Sequence, residues 1–129
     1  MFEINSVGYA KETVNDNNTA KYIGSGSLMV YATPAMAALI EKAACACIEN
    51  SLEAGTTSVG TDLSIKHLAA TPVGMQVRAE ARLVGVDGRK LTFNVLAYDE
   101  CDKIGEGTHE RFIVSSEKFM AKTNGKTSG

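Results

Sequence analysis

Thr33, Glu41 and His67 are the side chains of this 129-residue chain that could act together on a substrate. A Thr hydroxyl becomes a nucleophile once a base takes its proton, and His is the base that serves near neutrality. A carboxylate can orient and charge the imidazole, or act as base itself. Each residue also has a plain structural use. Thr33 precedes Pro34 and can cap a helix start. His67 falls on the apolar row of its strand, where a core histidine is the ordinary finding. Glu41 has small, uncharged helical neighbours in Ala37, Ala38, Ala44 and Cys45. It lies about 90° around the helix from the stripe of Lys42 and Glu49, within reach of the wet side. Buried, its pKa would rise toward the range of a general acid or base. His109, in GTHERF, sits among charged neighbours that predict exposure.

The element that must position Thr33 and Glu41 is the stretch 32–52, ATPAMAALIEKAACACIENSL. Between Ala35 and Ile48 its only charges are Glu41 and Lys42, so it predicts a buried helix, too short to cross a bilayer. Its many alanines let backbone come close, which predicts a central helix wrapped by sheet, ending near residues 52–55 with Gly55 as cap. Residues 15–27, NDNNTAKYIGSGS, read as a loop and candidate lid before it.

Everything else reads as strand. Residues 7–14 form a first strand. Residues 57–67 alternate, with Val59, Thr61, Leu63, Ile65 and His67 on one face and Ser58, Gly60, Asp62, Ser64 and Lys66 on the other. Residues 75–86 turn Met75, Val77, Ala79, Ala81 and Leu83 inward, Asp87-Gly88 makes a hairpin turn, and residues 90–98 and 104–114 complete an antiparallel meander. Strand, helix, then four strands is an α+β pattern in one domain, residues 1–129, with the tail 121–129 expected to fray.

Composition narrows the function. A net charge of −2 with no basic cluster gives no reason to expect nucleic acid or a membrane surface as partner. The first residues, MFEINSVGYAK, do not read as a signal peptide, and three Cys without C-x-x-C argue against a disulfide framework or zinc site. A cytoplasmic protein without metal is the expectation. G-x-S-x-G, P-loop and dinucleotide fingerprints are missing, and Gly24 with Gly26 do not make a phosphate loop.

The segments YATPAMAALIEKA (31–43), TSVGTDLSIKHLAATPVGM (57–75), VDGRKLTF (86–93) and IGEGTHERF (104–112) together resemble the hotdog-fold thioesterases related to fluoroacetyl-CoA thioesterase. The likeness runs from about residue 28 to the KFMAK segment at 118–122 and joins the T-x7-E spacing to the H-x-A-A-T-P-type segment. It implies a curved antiparallel sheet around one long helix, a homodimer, and an active site at the subunit interface with coenzyme A along it. It assigns catalysis to Thr33, Glu41 and His67, and the backbone N–H aimed at the thioester carbonyl to Gly60. The implied activity is acyl-CoA hydrolysis with no cofactor, CoA entering as part of the substrate. A non-catalytic acyl-CoA binder is the alternative, and a hotdog hydratase or dehydratase fits the matched set less well. The lid departs from the pattern: the fluoroacetyl-specific enzyme has bulky aromatics where this chain has Gly24 and Ser27, so a different and larger acyl group is expected.

Two mechanisms stay open on these residues. Either His67 activates Thr33 or a water, with Glu41 orienting the ring, or Thr33 donates a hydrogen bond and Glu41 is base or nucleophile. Eight helical residues separate Thr33 and Glu41 by about 12 Å along the axis. That span predicts that Glu41 joins the Thr33 of a partner subunit.

Overall fold

The computed structural model describes residues 1–127. Its strands are β1 (Val7–Thr13), β2 (Thr56–His67), β3 (Gln76–Asp87), β4 (Lys90–Tyr98) and β5 (Lys103–Ser115), with helices α1 (Ala20–Ile23), α2 (Thr33–Ile48) and α3 (Ser116–Asn124). All five strands make one antiparallel sheet in the order β1-β3-β4-β5-β2. The expected meander therefore covers only β3 to β5. β2 lies at the far edge beside β5, and residues 68–75 carry the chain from that edge back to β3. That crossing is pinned at the helix start, where the Tyr31 N–H donates to the Thr71 carbonyl at 2.9 Å.

Helix α2 packs mainly on β1 and β3. Its inward side is Ala35, Met36, Leu39, Ile40, Ala43, Ala44 and Ile48, all buried. Facing them are Val77, Ala79, Ala81 and Leu83 of β3 and Leu91, Phe93, Val95 and Ala97 of β4, at the period of two expected of strands with one covered face. Each of the larger side chains, fully buried, stabilises the fold by about 1.5–3 kcal/mol. The small residues act as the composition predicts. Gly8 of β1 lies so close to the helix that a Cβ there would strike the Ala43 carbonyl and the Cys47 backbone.

The helix is not buried all round within one chain. Ala37, Ala38, Glu41, Lys42, Cys45 and Ala46 remain partly or fully exposed, a continuous face of mostly small residues. The predicted loop 15–27 contains one helical turn, α1, capped by the Thr19 hydroxyl at 3.2 Å from the Tyr22 N–H and closed by Gly24 at φ 90°. The β3–β4 turn is centred one residue later than expected, on Gly88-Arg89, with Asp87 pairing Lys90. Gly88 takes the positive φ, 62°, that this tight turn requires. None of the α3 side chains is buried; residues 121–124 of the tail are helical, and residues 128–129 lie outside the described residues. Among the described residues no helix is long and apolar enough to cross a membrane.

Candidate active site

Thr33 is the first residue of α2, but it does not cap it. The cap position is Ala32, and no side chain bonds the free N–H groups there. The Thr33 hydroxyl points instead at His67, its Oγ1 2.7 Å from Nδ1. His67 ends β2, half-buried, on the row that carries Leu63 and Ile65. Its Nε2 is buried and meets no hydrogen-bond partner among the described residues. Burial holds the ring's pKa below its ordinary value of 6.5, so the ring is neutral at physiological pH. A neutral imidazole in short contact with a hydroxyl is the arrangement that takes a proton as the hydroxyl attacks.

The start of α2 is fixed from two sides. Tyr31, 1% exposed, donates its hydroxyl to Glu12 Oε2 at 2.5 Å, which ties the segment to β1. Thr71, bonded to Tyr31 through its carbonyl, donates its own hydroxyl to Asp99 at 2.7 Å. Beside Thr33 and His67 opens a hollow of about 370 Å³. Its walls include Ala20, Ser25, Val30, Leu68 and Ala69, with no charged side chain.

Glu41 stands two turns further along and joins a different group. Its Oε2 accepts from Arg111 Nη1 at 3.2 Å and lies 3.9 Å from His109 Nε2. Its side chain is 42% exposed, so the buried carboxylate considered for this position is not found. Gly60 faces the same carboxylate: a Cβ there would collide with Glu41 Oε2 and come within 3.3 Å of Arg111 Nη1. That placement reverses the expected faces of the first half of β2. A bulge at Thr61, between the Gly60–Arg111 and Asp62–Glu110 pairs, inserts one residue and brings Ser58 and Gly60 to the helix side.

His109 is not exposed but 1% accessible, and Arg111 is 6%. On β5 the alternation His109, Arg111 faces the helix while Thr108 and Glu110 face outward, so the charged neighbours that suggested exposure lie on the opposite face. Arg111 was not singled out by its sequence context. The signal was present in the same alternation, since a strand with Gly105 and Gly107 turned inward places His109 and Arg111 inward too. A buried guanidinium then needs an anion, which Glu41 supplies.

One chain thus holds two separate clusters: Thr33 with His67, and Glu41 with Gly60, Arg111 and His109. Their hydrogen-bonding partners do not overlap. A curled five-stranded antiparallel sheet cradling one long helix, with a hydroxyl–imidazole pair at the helix start, defines a hotdog-fold thioester hydrolase. The family described as fluoroacetyl-CoA-specific thioesterase matches residues 14–117. A fluoroacetyl-CoA thioesterase from Streptantibioticus cattleyicolor is 45% identical over 98 residues, 76% of this chain and 70% of that protein. The solved fluoroacetyl-CoA thioesterase FlK superposes with a TM-score of 0.92 at 34% identity over 98% of both chains. A thioesterase superfamily member from Thermus thermophilus gives 0.89 at 29% identity over 96% of this chain and 92% of its own. The chain belongs to the fluoroacetyl-CoA-specific thioesterase family.

Proposed function

We propose that this protein hydrolyses an acyl-CoA thioester in a site assembled from two copies of the chain. Thr33 and His67 come from one subunit, and Glu41 and Gly60 from the other. The observation that carries this reading is the separation of the two clusters within a single chain. The small-residue face of α2 and the outer edge of β2, which pairs only with β5 among the described residues, supply surface for a homodimer.

In this reading Thr33, or a water it positions, attacks the thioester carbonyl as His67 takes the proton. The oxyanion meets the Gly60 N–H, a type of donor worth about 10²- to 10³-fold in rate. Collapse expels the CoA thiolate, which recovers the proton from His67; where Thr33 was the nucleophile, a water deprotonated by His67 then cleaves the acyl-Thr33 ester, releasing the acid and returning the proton to Thr33. Glu41 faces the imidazolium across the interface and favours its charge. The uncharged walls beside Thr33 suit a neutral acyl group, and the absence of bulky side chains at Gly24 and Ser27 leaves room for one larger than fluoroacetyl. Three free cysteines fit a cytoplasmic setting.

The test is CoA release from a panel of acyl-CoA esters, with fluoroacetyl-CoA included, by wild type, Thr33→Ala and Glu41→Ala. Turnover by the wild type and its loss in both folded variants is the expected result. Acyl-CoA bound without release by the wild type would turn the reading to a non-catalytic binder on the same fold.

A further inference from the structure

The hydrogens around Arg111 determine the protonation of a neighbouring ring. Arg111 has only donors. Its Nε donates to Ser58 Oγ at 2.7 Å and its Nη2 to the Ser58 carbonyl at 3.0 Å. Its Nη1 serves Glu41 Oε2 at 3.2 Å and His109 Nε2 at 3.1 Å. A guanidinium hydrogen can be given only to a lone pair, so Nε2 of His109 is bare. The single hydrogen of the ring then sits on Nδ1 and is donated to the Asp62 carbonyl, 2.8 Å away.

The ring has no freedom to trade these partners. It is 1% exposed and stacks on Phe93 of β4, centroids 6.0 Å apart and planes 28° from parallel. The charged and titratable groups that face it are Arg111 on its own strand, Glu41 from α2 and Asp62 from β2. Glu110 points to the other face, toward Lys90 of β4 at 3.7 Å. Burial, joined by the Arg111 charge, holds the ring's pKa below its ordinary value against the opposing Asp62 carbonyl and Glu41 carboxylate.

We propose that His109 is a positioning residue for thioester hydrolysis: as the neutral Nδ1–H tautomer it accepts from Arg111 and fixes the guanidinium that holds Glu41 against Gly60. It acts through Arg111 and touches no substrate. The proposal rests on the reading of Glu41 and Gly60 as parts of the hydrolytic site. Protonation of the ring would set N–H against N–H and two cations side by side. Loss of the acceptor would let the planar guanidinium pivot as a whole about its Ser58 contacts and let Glu41 drift with it.

The experiment uses the whole chain with nitrogen-15 histidine, read without substrate, followed by steady-state kinetics of wild type, His109→Leu and His109→Gln. The chain has two histidines, and the His109 signals are those that vanish in His109→Gln. Leu fills the space and accepts nothing, whereas the Gln amide oxygen can take the hydrogen of Arg111. The expected spectrum at pH about 7.5 is a neutral ring with its hydrogen on Nδ1. His109→Leu should lower kcat by about tenfold or more with little change in KM, and His109→Gln should recover most of it. A hydrogen on Nε2, an imidazolium at neutral pH, or a wild-type kcat in the folded Leu variant would overturn the proposal. A wild type that releases no CoA from any ester fails the hydrolase reading instead, and the ring spectrum then decides the Arg111 arrangement by itself.

Discussion

The Thr33 hydroxyl is directed at His67 and leaves the helix start uncapped, so its chemistry separates from stability. Thr33→Ala should change the unfolding free energy by less than about 0.5 kcal/mol, below the cost of removing a working cap. It should nonetheless lower kcat/KM by about 10²-fold or more; denaturant titration and CoA release on one preparation check both halves. The two histidines give a pH dependence with a defined sign. Burial depresses both pKa values below the unfolded value of about 6.5. The unfolded chain therefore binds more protons as the pH falls through about 6.5, and stability present above that point is lost below it, down to the folded pKa values. The urea midpoint should drop between pH about 7.5 and 5.5, and the drop should shrink in His109→Gln. kcat/KM should fall on the acid side as His67 takes up a proton, because His67 must be neutral to accept from Thr33. At this scale residue type and position drew attention to Thr33, Glu41 and His67, each with a plain structural use beside it, and the family resemblance supplied their catalytic reading. Type and position were not enough for Arg111 or for the burial of His109, since a charged residue beside an inward-facing one looks the same in a string of letters until strand phase is known.

Strand phase belongs to the element, and β2 shows how one residue changes it. Simple alternation put Gly60 with Asp62 and Lys66 on the face away from His67. The bulge at Thr61 resets the count, so Ser58 and Gly60 share the helix side with Leu63, Ile65 and His67. Nothing in TSVGTDL announces an extra residue; it becomes visible only against the register of β5. The consequence is testable at Gly60. An added Cβ would push on the free end of the Glu41 side chain, which can swing away, and would ask Arg111 Nη1 and His109 Cε1, each at 3.3 Å, to give by only a few tenths of an ångström. Gly60→Ala should therefore keep its thermal midpoint within a few degrees yet lose activity by about tenfold or more, through displacement of the carboxylate. The strands and the start of α2 were legible from periodicity to within about a residue, whereas the helix ends at Ile48 and not at the expected 52–55, so Gly55 does not cap it. The order of the strands was not, because alternation reports which face of a strand is covered and is silent about its neighbour. The β2–β3 connection skips β5 and β4, and local signals make every antiparallel run look like a meander.

For the whole molecule, the length of α2 is the governing fact. A helix of 16 residues places Thr33 at one end and Glu41 near its middle, and each has found separate partners on the sheet. Its apolar composition predicted burial on every side, yet one chain covers only the face turned to β1 and β3. The uncovered alanines are the surface on which the proposed second copy could approach closely. The proposed site built from both subunits would draw on this surface, with Thr33 and His67 of one copy beside Glu41 and Gly60 of the other. Subunit mixing tests that claim most directly. Thr33→Ala and Glu41→Ala proteins, each inactive alone, are unfolded, mixed in equal amounts and refolded together. Random pairing makes half the dimers mixed, and each mixed dimer holds one intact site, so about a quarter of wild-type turnover should return. If Thr33 and Glu41 served one site from the same chain, every site in the mixture would lack one of them. No recovery, in a mixture shown to contain mixed dimers, would contradict the account.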